Sequence, residues 1–437
     1  MRSARFMLVM AAALAAPLVT AAPASATSIA AEGASQSIDS FYSERGDRPI
    51  WFGPTLSDLS AARALIALLR SAEADGLDPQ SYPVAKLERA LDSLSGGSFD
   101  SIVRTDRLFS EAMVQYARDL RRDSAGEMIW VDSKLKPRPP SPAAILEAFA
   151  TSVSQREFIA QMRWMNPIYV GLREALLRGG HSAEQEKLLR LNLERARMLP
   201  EPRGRYVIVN ASAARLTMFD GPRMVDSMRV VVGKPAQATP MMAALIRYTS
   251  LNPYWNVPPD LAAERIAPNV LKEGISYLER QGYQVLSTWG EDAGVVDPLT
   301  VDWKAVADGQ EEIRVRQLPG PDNAMGQMKF MFPNSQGVYL HDTPQKELLT
   351  EASRMFSGGC VRLEDAPRLA RWLYGRDLQP SGATPEQHIA LKDAVPVFIT
   401  YLTAVPEGEG IAHFPDVYGR DREALARRGS TGDLASR

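Results

Sequence analysis

Residues 202–232, PRGRYVIVNASAARLTMFDGPRMVDSMRVVV, mark the point where the chain changes character. Tyr206–Val209, Arg215–Phe219 and Met224–Val232 are short runs rich in β-branched and aromatic residues. Asn210–Ala214 and Asp220-Gly221-Pro222 separate them and read as turns. Similar runs follow at Ala243–Ser250, at 329–340 (KFMFPNSQGVYL) and at 394–403 (AVPVFITYLT). The pattern predicts a mainly β domain over 201–420. It is interrupted at about 260–330 by a helix-like Ala262–Gln281 and a long irregular stretch, expected as a helical/irregular capping insertion over a groove.

Upstream of Pro202 the spacing is helical. Ala61–Ala74 (AARALIALLRSAEA) places apolar residues on one face and contains no Gly or Pro. Val84–Leu94, Ser101–Arg121, Ala143–Thr151 and Ser182–Met198 repeat that pattern, and proline-rich Lys134–Pro142 reads as an extended loop. The fold class expected is α+β and multidomain, with a helical region over 38–200 and the β domain behind it. The charged, Ser/Gly-rich tail 421–437 is expected to fray.

Arg2 and Arg5, an alanine-rich apolar stretch from Phe6 to about Ala22, and Ala24-Ser25-Ala26 form the three parts of a secretory signal peptide. The expectation is cleavage after 1–26, a linker over 27–37, export to the periplasm, and a mature form with no transmembrane segment. A formal net charge of -2 argues against nucleic-acid binding. Cys360 is the single cysteine, which excludes an internal disulfide. The four histidines, His181, His341, His388 and His413, have no metal-ligand spacing, so neither metal nor cofactor is expected.

The densest chemical cluster is Ser357-Gly358-Gly359-Cys360-Val361-Arg362. Two glycines before a cysteine permit unusual backbone angles and let amide groups converge near the sulfur, as an oxyanion hole requires. A thiol needs a base, and His341 stands nineteen residues upstream, at the end of the apolar run Val338-Tyr339-Leu340. Arg362 could lower the thiol pKa or hold a substrate carboxylate. Against this stands the plainer reading of a small buried cysteine and a hydrogen-bonded surface histidine.

His341 followed by Ser357-Gly358-Gly359-Cys360-Val361-Arg362 resembles the catalytic pattern of the L,D-transpeptidase (YkuD-type) domain, a β-sandwich. Asn252-Pro253-Tyr254-Trp255-Asn256-Val257-Pro258, Lys329-Phe330-Met331-Phe332-Pro333-Asn334 and Tyr339-Leu340-His341-Asp342-Thr343-Pro344 are similar to motifs of its large Gram-negative, YcbB-like subgroup. Phe41-Tyr42, Pro49-Ile50-Trp51 and Gly76-Leu77-Asp78-Pro79 resemble that subgroup's helical scaffold region. Two departures stand out. About fifteen residues between Tyr169–Leu177 and the helix at Leu191 leave no room for a peptidoglycan-binding module, and Met198 stands where the subgroup usually has tryptophan.

The resemblance implies peptidoglycan stem peptides as partners: a tetrapeptide donor and a meso-diaminopimelate acceptor, joined in a 3→3 cross-link. Cys360 would be the nucleophile, His341 its base, and the amides around Gly358 and Gly359 the oxyanion hole. Tyr339, Arg362, Ser357 and Trp255 would contact substrate. Asp342 is not expected to orient His341, because neighbouring side chains on a strand point apart. Carbapenem inhibition and other cell-wall enzymes as partners are further implications. The alternatives are an L,D-carboxypeptidase or hydrolase, an enzyme anchoring a protein amine to the wall with the same pair, and a non-catalytic wall-binding scaffold.

Overall fold

The computed structural model describes residues 37–53, 56, 58–121, 127–290 and 292–435. The expected signal peptide, and the linker up to residue 36, lie outside them. The helical region is built from Ser60–Arg70, Val84–Asp92, Phe99–Asp119, Pro142–Ala150, Gln155–Ala160, Pro167–Arg178 and Ala183–Arg197. Side-chain caps set several starts. Ser98 accepts from Ser101 N, and Ser182 and Gln185 form a reciprocal capping box. The helix read over Ala61–Ala74 stops at Arg70, passes into a short 3-10 turn at Ala72–Asp75, and ends at left-handed Gly76. Asp106, fully buried on the long helix, ties down the N-terminal segment through the amides of Ile50, Trp51 and Phe52.

Eight strands of the second region close on themselves. They are β2 (Arg205–Asn210), β3 (Arg215–Asp220), β4 (Arg223–Gly233), β5 (Met242–Leu251), β10 (Met328–Met331), β11 (Leu340–His341), β13 (Val361–Leu363) and β14 (Gln387–Thr400). The order runs β5-β10-β11-β13-β4-β3-β2-β14, and β14 pairs back onto β5, so the sandwich is closed. β1 (Ile129–Trp130), from the helical region, adds a parallel strand at Met242–Ala243 of β5, short of the part of β5 that pairs with β10. A single apolar core runs from Ile38 through the helices into the sandwich as far as Ala404.

The structure changes three expectations. The run 329–340 is two strands, because Pro333 offers no N–H and the Asn334 side chain holds the intervening loop through Phe332 O and Val338 O. The insertion also begins earlier, at Trp255, and is more ordered than a helical/irregular cap over about 260–330. β6 (Trp255–Val257), β7 (Tyr283–Leu286), β8 (Val295–Val296) and β9 (Arg314–Gln317) form a four-stranded sheet ordered β6-β9-β7-β8, and β10 already belongs to the sandwich. Helices Ala267–Glu273, Ser276–Arg280 and Trp303–Ala307 pack on this sheet around a separate core that includes Ile266, Val285, Trp303 and Val315. Finally, the tail read as fraying forms a helix, Arg420–Ala435, anchored by buried Asp421, which pairs with Arg195.

Candidate active site

Strand register assembles the site. Lys329 of β10 pairs with His341 of β11, and His341 pairs with Arg362 of β13. Paired residues share a face of the sheet, as do residues two apart along a strand. Lys329, Tyr339, His341, Cys360 and Arg362 are therefore gathered on one face, although thirty-one positions separate the first from Cys360. The β11–β13 ladder is parallel, with Val361 N donating to Tyr339 O at 2.9 Å.

Cys360 ends a tight loop between β12 (Met355–Ser357) and β13. Ser357 is 2% exposed; its Oγ donates to Cys360 O at 2.6 Å and accepts from Gly359 N at 3.1 Å. Thr239, fully buried, accepts from Gly233 N and donates to Gly359 O at 2.9 Å. Gly359 has φ +114, a conformation that side-chain-bearing residues rarely adopt. Ser357 is thus a brace beneath the loop, its hydroxyl engaged on both sides. The Gly359 N–H is likewise committed inward. Among the described residues, the amides of Gly358 and Cys360 carry no acceptor.

His341 is 2% exposed, and its Nδ1 lies 2.6 Å from the backbone carbonyl of Asp342. A carbonyl only accepts, so Nδ1 carries the hydrogen and Nε2 keeps its lone pair for a proton. The Asp342 carboxylate points elsewhere, accepting from Gln327 N and Lys346 Nζ. Burial first, then the neighbouring Arg362 charge, pushes the imidazole down to about 3. Burial raises the Cys360 thiol, while the Tyr339 backbone and the charges of Lys329 and Arg362 pull it back. The thiol donates to Gly337 O at 3.5 Å, so the resting face holds a neutral thiol and a neutral imidazole, with two cations placed to favour a thiolate when it forms.

A groove of about 650 Å³ opens beside this face, between sandwich and insertion. Trp255, Arg265, Tyr277, Tyr283, Gln345 and Arg362 are among its walls, so Trp255 and Arg362 line one groove, while Cys360 and His341 are not among its walls. Arg362 Nη1 is oriented by Gln345 Oε1 at 2.6 Å. Tyr339 lies beneath Lys329, whose Nζ is 4.1 Å from the ring centroid. Sequence reasoning missed Thr239 and Lys329 in the site. For Lys329 the available signal was its alternation with Met331 on a short strand two positions ahead of a proline; Thr239 offered none.

Two family models match the chain: a scaffold domain at residues 36–176 and an L,D-transpeptidase catalytic domain at 204–399. A Haemophilus influenzae protein, whose own name assigns it provisionally as an L,D-transpeptidase, is 28% identical over 397 residues, covering 87% of this chain and 77% of that one. Among solved structures, an L,D-transpeptidase from Mycobacterium smegmatis is 13% identical, over 45% of this chain and 58% of that one, with a TM-score of 0.22. The LD transpeptidase LdtMt1, solved in complex with imipenem, is 12% identical over the same shares, also with a TM-score of 0.22. Both overlaps are too slight to bear on the fold, and the chain spans only 58% of the length of these structures. Residues 204–399 of this chain are thus an L,D-transpeptidase catalytic domain of the YkuD type, behind a scaffold domain at 36–176.

Proposed function

We propose that the protein is an exported, periplasmic peptidoglycan L,D-transpeptidase that forms 3→3 cross-links through a thioester on Cys360. The observation that carries this reading is the fixed imidazole. His341 Nδ1 is held by the Asp342 carbonyl, which leaves Nε2 as a base on the face that holds Cys360. In the first half-reaction the Cys360 proton passes to His341 Nε2. The sulfur attacks the carbonyl joining the third stem residue to the terminal D-alanine. The resulting oxyanion lies against the amides of Gly358 and Cys360; losing one such donor typically costs about 3 kcal/mol of barrier. The C–N bond breaks, His341 returns its proton to the departing amine, and D-alanine leaves. In the second half, His341 takes a proton from the side-chain amine of another stem as that amine attacks the thioester. The thiol is then regenerated. No cofactor enters either half.

Mass spectrometry of products from disaccharide-tetrapeptide tests this reading, with Cys360→Ala as control. The expected result is a 3→3 dimer that the control does not make. Cys360-dependent tripeptide with free D-alanine and no dimer would favour the hydrolase. Dimer formed only with an added protein amine would favour wall anchoring. Turnover unchanged in Cys360→Ala would remove the nucleophile assignment.

A further inference from the structure

Gly358 and Gly359 are glycines for different reasons. Gly359 needs its φ of +114; Gly358 has no such angle and is constrained by what lies against it. A Cβ at Gly358 would come 3.3 Å from Gln237 Oε1 and 3.7 Å from Leu261 Cδ1. Gln237 belongs to the segment after β4, and Leu261 to the opening turn of the insertion, Pro259–Leu261. Leu261 is at the same time part of the insertion's own apolar core. The loop that presents the sulfur is thus packed directly against the insertion.

Gln237 is held on both sides. Its backbone is fixed against the loop. Lys234 N donates to Ser357 O at 2.9 Å, Gln237 N donates to Lys234 O at 2.8 Å, and a Cβ at Gly233 would stand 2.1 Å from Gln237 O. Its side chain reaches across to the insertion, where Nε2 donates to Asp260 Oδ2 at 3.0 Å. An ionised carboxylate only accepts, so the amide cannot turn over, and Oε1 is the atom left facing Gly358. That oxygen is buried and, among the described residues, receives no hydrogen bond. A buried acceptor without a donor is destabilising, so packing alone would favour an apolar side chain of the same length. What the amide adds is the tie to Asp260. Lys234 Nζ and Glu264 Oε2, 3.8 Å apart, form a second, looser link across the same boundary.

We propose that Gln237 is a positioning residue: tied to Asp260, it makes the pose of Gly358 depend on how the insertion's first turn is seated, and so sets the Gly358 N–H that meets the oxyanion. The inference rests on the transpeptidase reading, in which that amide receives the oxyanion, and adds the link by which the insertion acts on it. Glu264, Arg265 and Ile266, on the turn that follows, line the groove. A substrate lying there rests on the same stretch of chain that steadies Gly358.

Two reactions of Cys360 in the full chain separate this role from general support. Acylation by a carbapenem builds an oxyanion; alkylation by iodoacetamide displaces iodide and builds none. Both are followed by intact-protein mass. Gln237→Met keeps the length of the side chain and removes the amide, and Asp260→Ala removes the acceptor at an exposed position. Each should slow acylation about tenfold and leave alkylation within about twofold. The two together should be no slower than either alone, since both cut one link. Asp260→Asn, which keeps an oxygen to accept from Nε2, should recover most of the rate lost in Asp260→Ala. Unchanged acylation in both single variants, alkylation slowed in parallel, or losses that multiply in the double variant would overturn the coupling. If Gln237→Met does not fold, the comparison of Asp260→Ala with Asp260→Asn decides alone. Failure of acylation in the unsubstituted chain, with alkylation intact, would instead sink the transpeptidase reading and this inference with it.

Discussion

At the scale of single residues, the site depends on which atoms are already committed. His341 donates through Nδ1 to a main-chain carbonyl, so its orientation survives loss of the neighbouring carboxylate. The depressed imidazole pKa gives a signed prediction. An ordinary histidine base, titrating near 6.5, would be mostly protonated at pH 5 and lose more than about tenfold in rate. With its pKa near 3, His341 stays neutral there. Acylation of Cys360 by a carbapenem, followed by intact-protein mass, should change less than about twofold between pH 7 and pH 5. The same shift acts on stability in the opposite sense. Unfolded, the imidazole binds its proton near 6.5; folded, only near 3. The contribution is thus complete above 6.5 and falls as the pH drops through that window, by about 1.4 kcal/mol per unit. Melting curves at pH 6.5 and 5 should show a larger loss for the unsubstituted chain than for His341→Phe. Cys360 and His341 were legible in the sequence because glycines and an apolar run flank them. Lys329 was not, because strand register alone brings it to that face.

At the scale of elements, the loop Ser357–Cys360 carries the geometry. Ser357 ties both sides of it, and Thr239 reaches in from the segment after β4. Ser357→Ala leaves the Gly359 amide and the Cys360 carbonyl without that partner, a loss of about 1–3 kcal/mol. The expected outcome is a folded protein with a lowered melting temperature and slower carbapenem acylation; an unchanged acylation rate would show that the brace is dispensable. The sequence displayed the long strands β2 to β5 clearly, because each alternates over several residues. The insertion's sheet was hidden for the opposite reason. Its four strands run two to four residues each, too short for a period to register, and they lie between prolines and glycines. β14 was read short because Lys392 and Asp393 interrupt its apolar run at the irregularity between Ala390 and Val395.

At the scale of the whole molecule, the scaffold is continuous with the sandwich. One apolar core spans both, β1 extends the sheet, and Gly171 lies so close to Pro406 that an added Cβ would come within 2.5 Å of the proline ring. Buried polar groups cross the same boundary: Asn192 bonds Thr403, and Arg195 pairs with Asp421. A chain beginning at residue 201 should therefore lack a cooperative thermal transition and come out insoluble, whereas the full chain should melt both regions together in calorimetry. Two separated transitions would show that the regions fold alone. Helix spacing made the helical region readable, yet no local pattern announces a core shared between segments more than a hundred residues apart.

The insertion is arranged differently, since it has a core of its own and is bounded by paired residues: Trp255 on β6 lies opposite Gln317 on β9. The chain leaves the sandwich and returns to it at nearly the same place, so what lies between behaves as a cassette. Its ends meet at the paired Leu251 and Met328, apart from the β11–β13 register that sets His341 against Arg362. Lineages sharing this chemistry can thus diverge in what they admit to the sulfur by editing one excursion of the chain.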